Sequence, residues 1–186
     1  MNESECRNAD WRMIGLEDGV NGKLTSYIGK HRTACAKHDI VPDIVTYQQG
    51  YSEGVKQYCT EVKGFEVGKK GTNYNGVCPP ESEMFFLEGY HFGLKLHTVN
   101  KKIKKLSSAI NSKQKQVEKI KKEVIKKEKL LISDKSTEVQ RSSILTEIKE
   151  LQEKIGRLEA EILEKEKQKA VTKAKISKLN RNNPYY

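Results

Sequence analysis

The chain of 186 residues has no run approaching the ~18 apolar residues that a membrane-spanning helix needs. The residues after Met1 are polar where an export signal would carry its apolar segment. Hydrophobic residues make up only 35% of the sequence, so part of the chain lacks an interior. The length suits one ordinary soluble domain plus an extension. Residues 94–186 hold two of the 13 Phe, Trp and Tyr residues, one of the 13 glycines and no cysteine. They carry 25 Lys and Arg against 12 Asp and Glu, whereas residues 1–93 carry 10 against 13, so the net charge of +10 belongs to the second half alone. That half has no aromatic before Tyr185 to stack a base, no arginine cluster and no zinc-finger spacing. No nucleic-acid partner is expected, and the charge reads as solvated helix face.

Catalytic signatures are missing as well. There is no C-x-x-C, no Gly-Lys-Ser/Thr, no dinucleotide fingerprint and no G-x-S-x-G. The candidate groups Asp10, Asp18, Asp39, Asp43, Glu53, Glu81, Glu88, His31, His38 and His91 form no recognisable catalytic set. Asp18 and Asp43 read as helix-terminus residues, and His91, beside Tyr90, as a packed core histidine. We expect a protein that is not an enzyme and needs no metal or cofactor.

The four cysteines, Cys6, Cys35, Cys59 and Cys78, all precede residue 79 and allow three pairings. A zinc site would have to use His31, Cys35 and His38, so disulfides are favoured. The stretch CTEVKGFEVGKKGTNYNGVC, with Gly64, Gly68, Gly71 and Gly76, reads as a loop of little apolar content that gains from a clamp. The preferred pairing is therefore Cys6 with Cys35 and Cys59 with Cys78, each bridge contributing ~3 kcal/mol by restricting the unfolded chain. Disulfides imply an oxidising compartment, with Met1 standing where an export signal was removed.

Three segments share a G-x-x-x-G spacing: Gly15 and Gly19, Gly50 and Gly54, Gly89 and Gly93. The last two also align Tyr47 with Phe86 and Tyr51 with Tyr90. Glycines four apart on a helix form a smooth strip that another backbone can approach closely, and this packing must offset the ~1 kcal/mol each costs against alanine. Residues 1–93 are thus expected to be a disulfide-stapled, Gly-rich helical head.

In residues 94–186 a heptad seam runs through Ile103, Leu106, Ile110, Lys113, Val117, Ile120, Val124, Lys127 and Leu131. A second occupies Ile144, Ile148, Leu151, Ile155, Leu158 and Ile162, weakens through Lys165, Lys169 and Thr172, and returns at Ile176 and Leu179. Continuing the first register gives 145 rather than 144, and the break coincides with polar residues 133–136, where Ser133 or Asp134 suits a helix N-cap. Residues 101–131 hold 12 Lys against 3 Glu, and residues 137–168 hold 6 Lys and Arg against 8 Glu, so the two stretches suit each other better than themselves. The fold class expected is all-α, the head followed by a long antiparallel coiled-coil hairpin turning near 133–136. Leu131 would then lie near Ile144, and Ile103 near Ile176.

The strings DWRMIGLEDGVNG, RTACAKHDIVPD, YQQGYSEGVKQYCT, GFEVGKKGTNYNGVCP and EMFFLEGYHFG together resemble the family called domain of unknown function 2799, short envelope lipoproteins of Gram-negative bacteria, over about residues 6–96. The resemblance implies an exported periplasmic protein, lipid-anchored to the outer membrane through a cysteine upstream of this sequence, with no known activity. The function expected is that of an envelope scaffold docking a protein partner through the hairpin, as a monomer or a coiled-coil oligomer. The alternative is a cell-wall-binding factor, or regulator of a wall hydrolase, with Trp11, Tyr47, Tyr51, Tyr74 and Tyr90 as its contact surface.

Overall fold

The structure, a computed structural model, describes residues 1–133 and 137–185. Among these residues it is all-helical, 82% helix with no strand. The chain divides into one unit of Met1–Thr98 together with Pro184 and Tyr185, and a second of Val99–Asn183. The first unit extends beyond the expected limit at residue 93 because it needs one more helical turn. Leu96 is buried, the His97 ring packs over Gly71, and Tyr185 stacks on Phe65 at 4.5 Å.

The first unit contains α1 (Glu3–Arg7), α2 (Trp11–Val20), α3 (Ile28–Cys35), α4 (Ile44–Tyr58), α5 (Glu61–Lys70) and the beginning of α6 (Pro80–Leu131). Polar side chains start these helices by satisfying amides that lack an intrahelical partner. Asp10 accepts from the Met13 amide, Asp43 from those of Val45 and Thr46, and Thr60 from that of Lys63. Pro80 opens α6, with Glu81 and Glu83 in its positive first turn. Disulfides join Cys6 to Cys35 and Cys59 to Cys78, with Cα–Cα distances of 5.6 and 5.5 Å.

The stretch between Cys59 and Cys78, expected as a loop, contains the ten-residue helix α5. Its glycines are contact residues rather than breakers. Gly64 and Gly68 form a fourth G-x-x-x-G pair, while Phe65 and Val67 enter the core. Only Gly71 ends the helix, in the left-handed conformation (φ +73°) that favours glycine.

The four glycine pairs make two helix crossings. A side chain at Gly15 or Gly19 would strike the carbonyl of Tyr47 or Tyr51, and one at Gly50 or Gly54 that of Arg12 or Leu16, so α2 and α4 run parallel with backbones in contact. Gly64 and Gly68 stand in the same way against Phe86 and Tyr90, and Gly89 and Gly93 against Glu61 and Phe65, which makes α5 and α6 a second parallel pair. Each crossing is followed by a positive-φ glycine three residues after the second glycine of its leading helix, Gly22 and Gly71. The pairs share one core around Tyr47, Tyr51, Tyr58 and Phe86.

The second unit holds the rest of α6 and α7 (Glu138–Arg181). Its N-cap is Thr137, not Ser133 or Asp134, because Thr137 and Gln140 form a reciprocal capping box. Of the expected turn at 133–136, residues 134–136 lie outside the described residues. A buried cluster of Val117, Ile120, Val124, Ile148 and Leu158, flanked by Leu131, Ile144, Leu151, Ile155 and Ile162, draws on both helices and coincides with the heptad positions. The two lysines in the first seam are ion-paired across it, Lys113 with Glu161 and Lys127 with Glu147, and Lys121 reaches Glu159 at 2.8 Å.

Candidate functional site

A group of polar side chains in the first unit surrounds Asp18, which α2 places just before Gly19, one of the glycines at which the backbones of α2 and α4 meet. Its carboxylate is 4% exposed. Oδ1 accepts from Lys23 Nζ at 2.8 Å, and Oδ2 accepts from the Tyr47 hydroxyl at 2.9 Å and meets His31 Nε2 at 2.8 Å. Lys23 is itself held: its amide donates to the Asp18 carbonyl, its carbonyl accepts from Tyr51 Oη at 2.7 Å, and its ammonium lies 4.1 Å from the centre of the Tyr27 ring. The His31 ring sits edge-on to Trp11 and Tyr27.

Burial alone would raise the Asp18 pKa, but the hydrogen bonds from Lys23, His31 and Tyr47 outweigh it and hold the carboxyl below its ordinary value of 3.8. The same contacts act on the partners. Burial pulls Lys23 down and Asp18 pulls it up further, for a net rise, while burial and Asp18 together raise the Tyr47 phenol. A carboxylate engaged on both oxygens, with every cysteine of the chain in a disulfide, is built to hold a charge in place. The cluster ties α2, α3 and α4 together.

The other candidates do not converge on this cluster. Asp10 and Asp43 cap helices, Asp39 adopts a left-handed conformation (φ 58°) after α3, and Glu53 pairs with Arg12 at 2.6 Å on the surface. Cys35 is committed to Cys6, which removes the alternative zinc set with His31 and His38. His91 is exposed, contrary to its expected place in the core, because it lies on the solvent side of α6; the packed histidine is His97, whose Nδ1 bonds the Lys69 carbonyl at 3.1 Å.

The expected aromatic contact surface is also corrected. Trp11, Tyr47 and Tyr51 are buried, Tyr47 completely, and Tyr74 and Tyr90 are half-buried against the same core. The glycine strips bring the helices so close that the rings beside them fill the interior. Tyr74 donates to Glu83 at 3.0 Å and accepts from the Cys78 amide at 2.9 Å; burial first, and then Glu83, push its pKa up to about 12.

Asp18 is thus not merely a helix-terminus residue, and Lys23 went unnoticed in the sequence. The signal available was the strip itself, since a carboxylate beside a helix-contact glycine lies in an interface and requires partners. No curated protein and no solved structure matches the chain. Residues 10–95, which span both glycine-paired crossings and the Asp18 cluster, match the family described as Protein of unknown function (DUF2799).

Proposed function

We propose that the chain is a non-enzymatic interaction protein of the bacterial envelope whose second unit is an antiparallel coiled-coil hairpin that docks a protein partner. The observation that carries this reading is the order of the ion pairs. Positions 113, 121 and 127 of α6 meet 161, 159 and 147 of α7, rising on one helix as they fall on the other. Charged residues set within an apolar seam select the register and direction of a coiled coil. Outside the seam, Ile125 and Leu130 are 51% and 56% exposed among the lysines of residues 101–131, which carry a net +9, and beyond that stretch Ile132, Val139 and Leu145 are 55–81% exposed. A basic surface interspersed with aliphatic side chains suits an acidic, partly apolar protein surface.

The two disulfides support an oxidising compartment, and with the family they support export to the periplasm and a lipid anchor at the outer membrane. The engagement of Asp18 and of all four cysteines supports a role without catalysis. The alternative of a wall-binding surface made of Trp11, Tyr47 and Tyr51 has no support, because those rings are interior.

Cysteine pairs at Leu131 with Ile144 and at Ile103 with Ile176 should be bridged within one chain by a short bismaleimide. Links that form only between chains would replace the hairpin with an obligate oligomer. A photo-crosslinker at Ile125 or Val139 should give one discrete protein adduct in intact cells, weakened when Lys122 and Lys126 are changed to Glu. Absence of any adduct would overturn the docking role.

A further inference from the structure

The charge of the second unit is not spread evenly along it. Residues 99–117 of α6 and residues 167–183, which hold the end of α7, carry twelve Lys and Arg and no Asp or Glu, whereas residues 118–166 between them carry twelve of each sign. The order of the three ion pairs, with Lys113 opposite Glu161, sets the two acid-free segments at the same end of the unit. That is the end the chain joins to the first unit on both sides, after Thr98 and before Pro184. Ten of the twelve cations are exposed, and among the described residues Lys113 alone of the twelve is ion-paired.

Such a concentration is costly, because neighbouring helices of one sign repel and coiled coils ordinarily set opposite charges beside the seam. The seam gives little in return here. On α7 it holds Lys169 and Thr172, the latter buried with its hydroxyl donating to the Gln168 carbonyl at 2.7 Å. The charge-balanced part instead pairs Lys121 and Lys127 with Glu159 and Glu147 beside an apolar cluster. Positive charge kept where the chain sets nothing against it points to an anion from outside. The outward face of α7 indicates which kind. Lys167, Val171, Ala174, Lys178 and Arg181 recur there at steps of three and four and are all exposed, Val171 by 72%. A basic helix face with aliphatic side chains set into it suits the surface of an anionic bilayer, for which about four to eight cations suffice. A folded protein partner would present both signs of charge. Nucleic acid would call for arginines and stacking rings, and the two segments hold one arginine and no aromatic residue.

We propose that the acid-free end of the second unit binds the surface of a bilayer containing anionic phospholipid, its lysines lying against the headgroup phosphates. Among the described residues no helix is long and apolar enough to cross a membrane, so these residues make the contact from the surface, where salt screens it. The protein-docking surface proposed above has its exposed aliphatic residues in the charge-balanced part. The two surfaces are therefore separate, and either reading can fail without the other.

The test is co-sedimentation of the whole, disulfide-intact chain with vesicles of phosphatidylcholine, alone or with about 30% phosphatidylglycerol, in about 0.1 M and about 0.5 M salt. The vesicles with phosphatidylglycerol should bind at least tenfold more tightly than those without it at the lower salt, and most of that binding should disappear at the higher. Lys167→Glu, Lys173→Glu and Lys178→Glu together should weaken it at least tenfold with an unchanged circular dichroism spectrum. Lys119→Glu, Lys122→Glu and Lys126→Glu, an equal change of net charge in the balanced part, should weaken it less than threefold. If reversal at 167, 173 and 178 unfolds the unit, glutamine at the same three positions adds no negative charge and should still weaken binding at least fivefold. Equal binding to both kinds of vesicle, binding indifferent to salt, equal losses from the two sets of reversals, or displacement from the vesicles by duplex DNA of the same phosphate content would each overturn the proposal.

Discussion

In the α2–α4 crossing the residue before the second glycine of the leading helix is Asp18, and in the α5–α6 crossing its counterpart is Val67. The aromatic three residues before the first glycine of the following helix is Tyr47 in one and Phe86 in the other, and both are fully buried. The backbone around these pairs is the same. Gly22 and Gly71 donate to Gly19 and Gly68 at 2.9 Å, and the next residues, Lys23 and Thr72, donate to Asp18 and Val67 at 3.0 and 3.2 Å. One helix-pairing device thus serves two interiors, one charged and hydrogen-bonded, the other apolar. The carboxylate and the phenol occur together in the first and are both missing from the second, as expected if neither is tolerable alone in a closed interface.

The comparison is broken most severely at the glycines. Gly50→Val and Gly64→Val each force a side chain into a carbonyl of the facing helix, and each should cost roughly 5 kcal/mol or abolish folding, read as the urea midpoint. Similar losses at the two sites would show that the crossings matter equally. The contrasting site is Gly156 in α7, where a β-carbon would meet nothing within 4 Å, so Gly156→Ala should gain about 0.5–1 kcal/mol.

Next in size is an exchange of interiors. Asp18→Val alone leaves the Tyr47 hydroxyl and His31 facing an apolar group and should cost about 3–4 kcal/mol. Adding Tyr47→Phe copies the Val67 and Phe86 arrangement and should recover at least 1 kcal/mol, a coupling that a double-mutant cycle measures directly. Additive losses would mean that the two interiors are unrelated.

The disulfides should differ little. Replacing either Cys6 and Cys35 or Cys59 and Cys78 with alanine opens loops of 29 and 19 residues, and each should cost ~3 kcal/mol in thermal or chemical unfolding. Reduction should therefore weaken both halves of the unit together.

The smallest loss is in acid. Because Asp18 titrates below its ordinary value of 3.8 in the folded protein, its stabilisation is complete above that value and disappears as the pH falls through the depressed one. Unfolding free energy should thus drop by about 1 kcal/mol more in the parent than in the Asp18→Val, Tyr47→Phe double variant between about pH 4 and 2. Parallel curves for the two proteins would remove Asp18 as the source.

Much of this protein is determined by its sequence alone, for a local reason: helix periodicity, capping and chain-neighbour charge act over a few residues. The all-helical class, the heptad positions and the Asp43 helix start follow from such patterns. The glycine strips were equally legible, but what they face was not, because spacing shows that a helix has a smooth side without saying which backbone lies on it. Only the tertiary structure turned Gly64 and Gly68 from loop residues into the partner strip of Gly89 and Gly93. That same close approach drew Trp11, Tyr47 and Tyr51 from an expected surface into the core. It also brought Lys23, His31 and Tyr47 to one carboxylate, since this depends on residues from separate segments meeting in space.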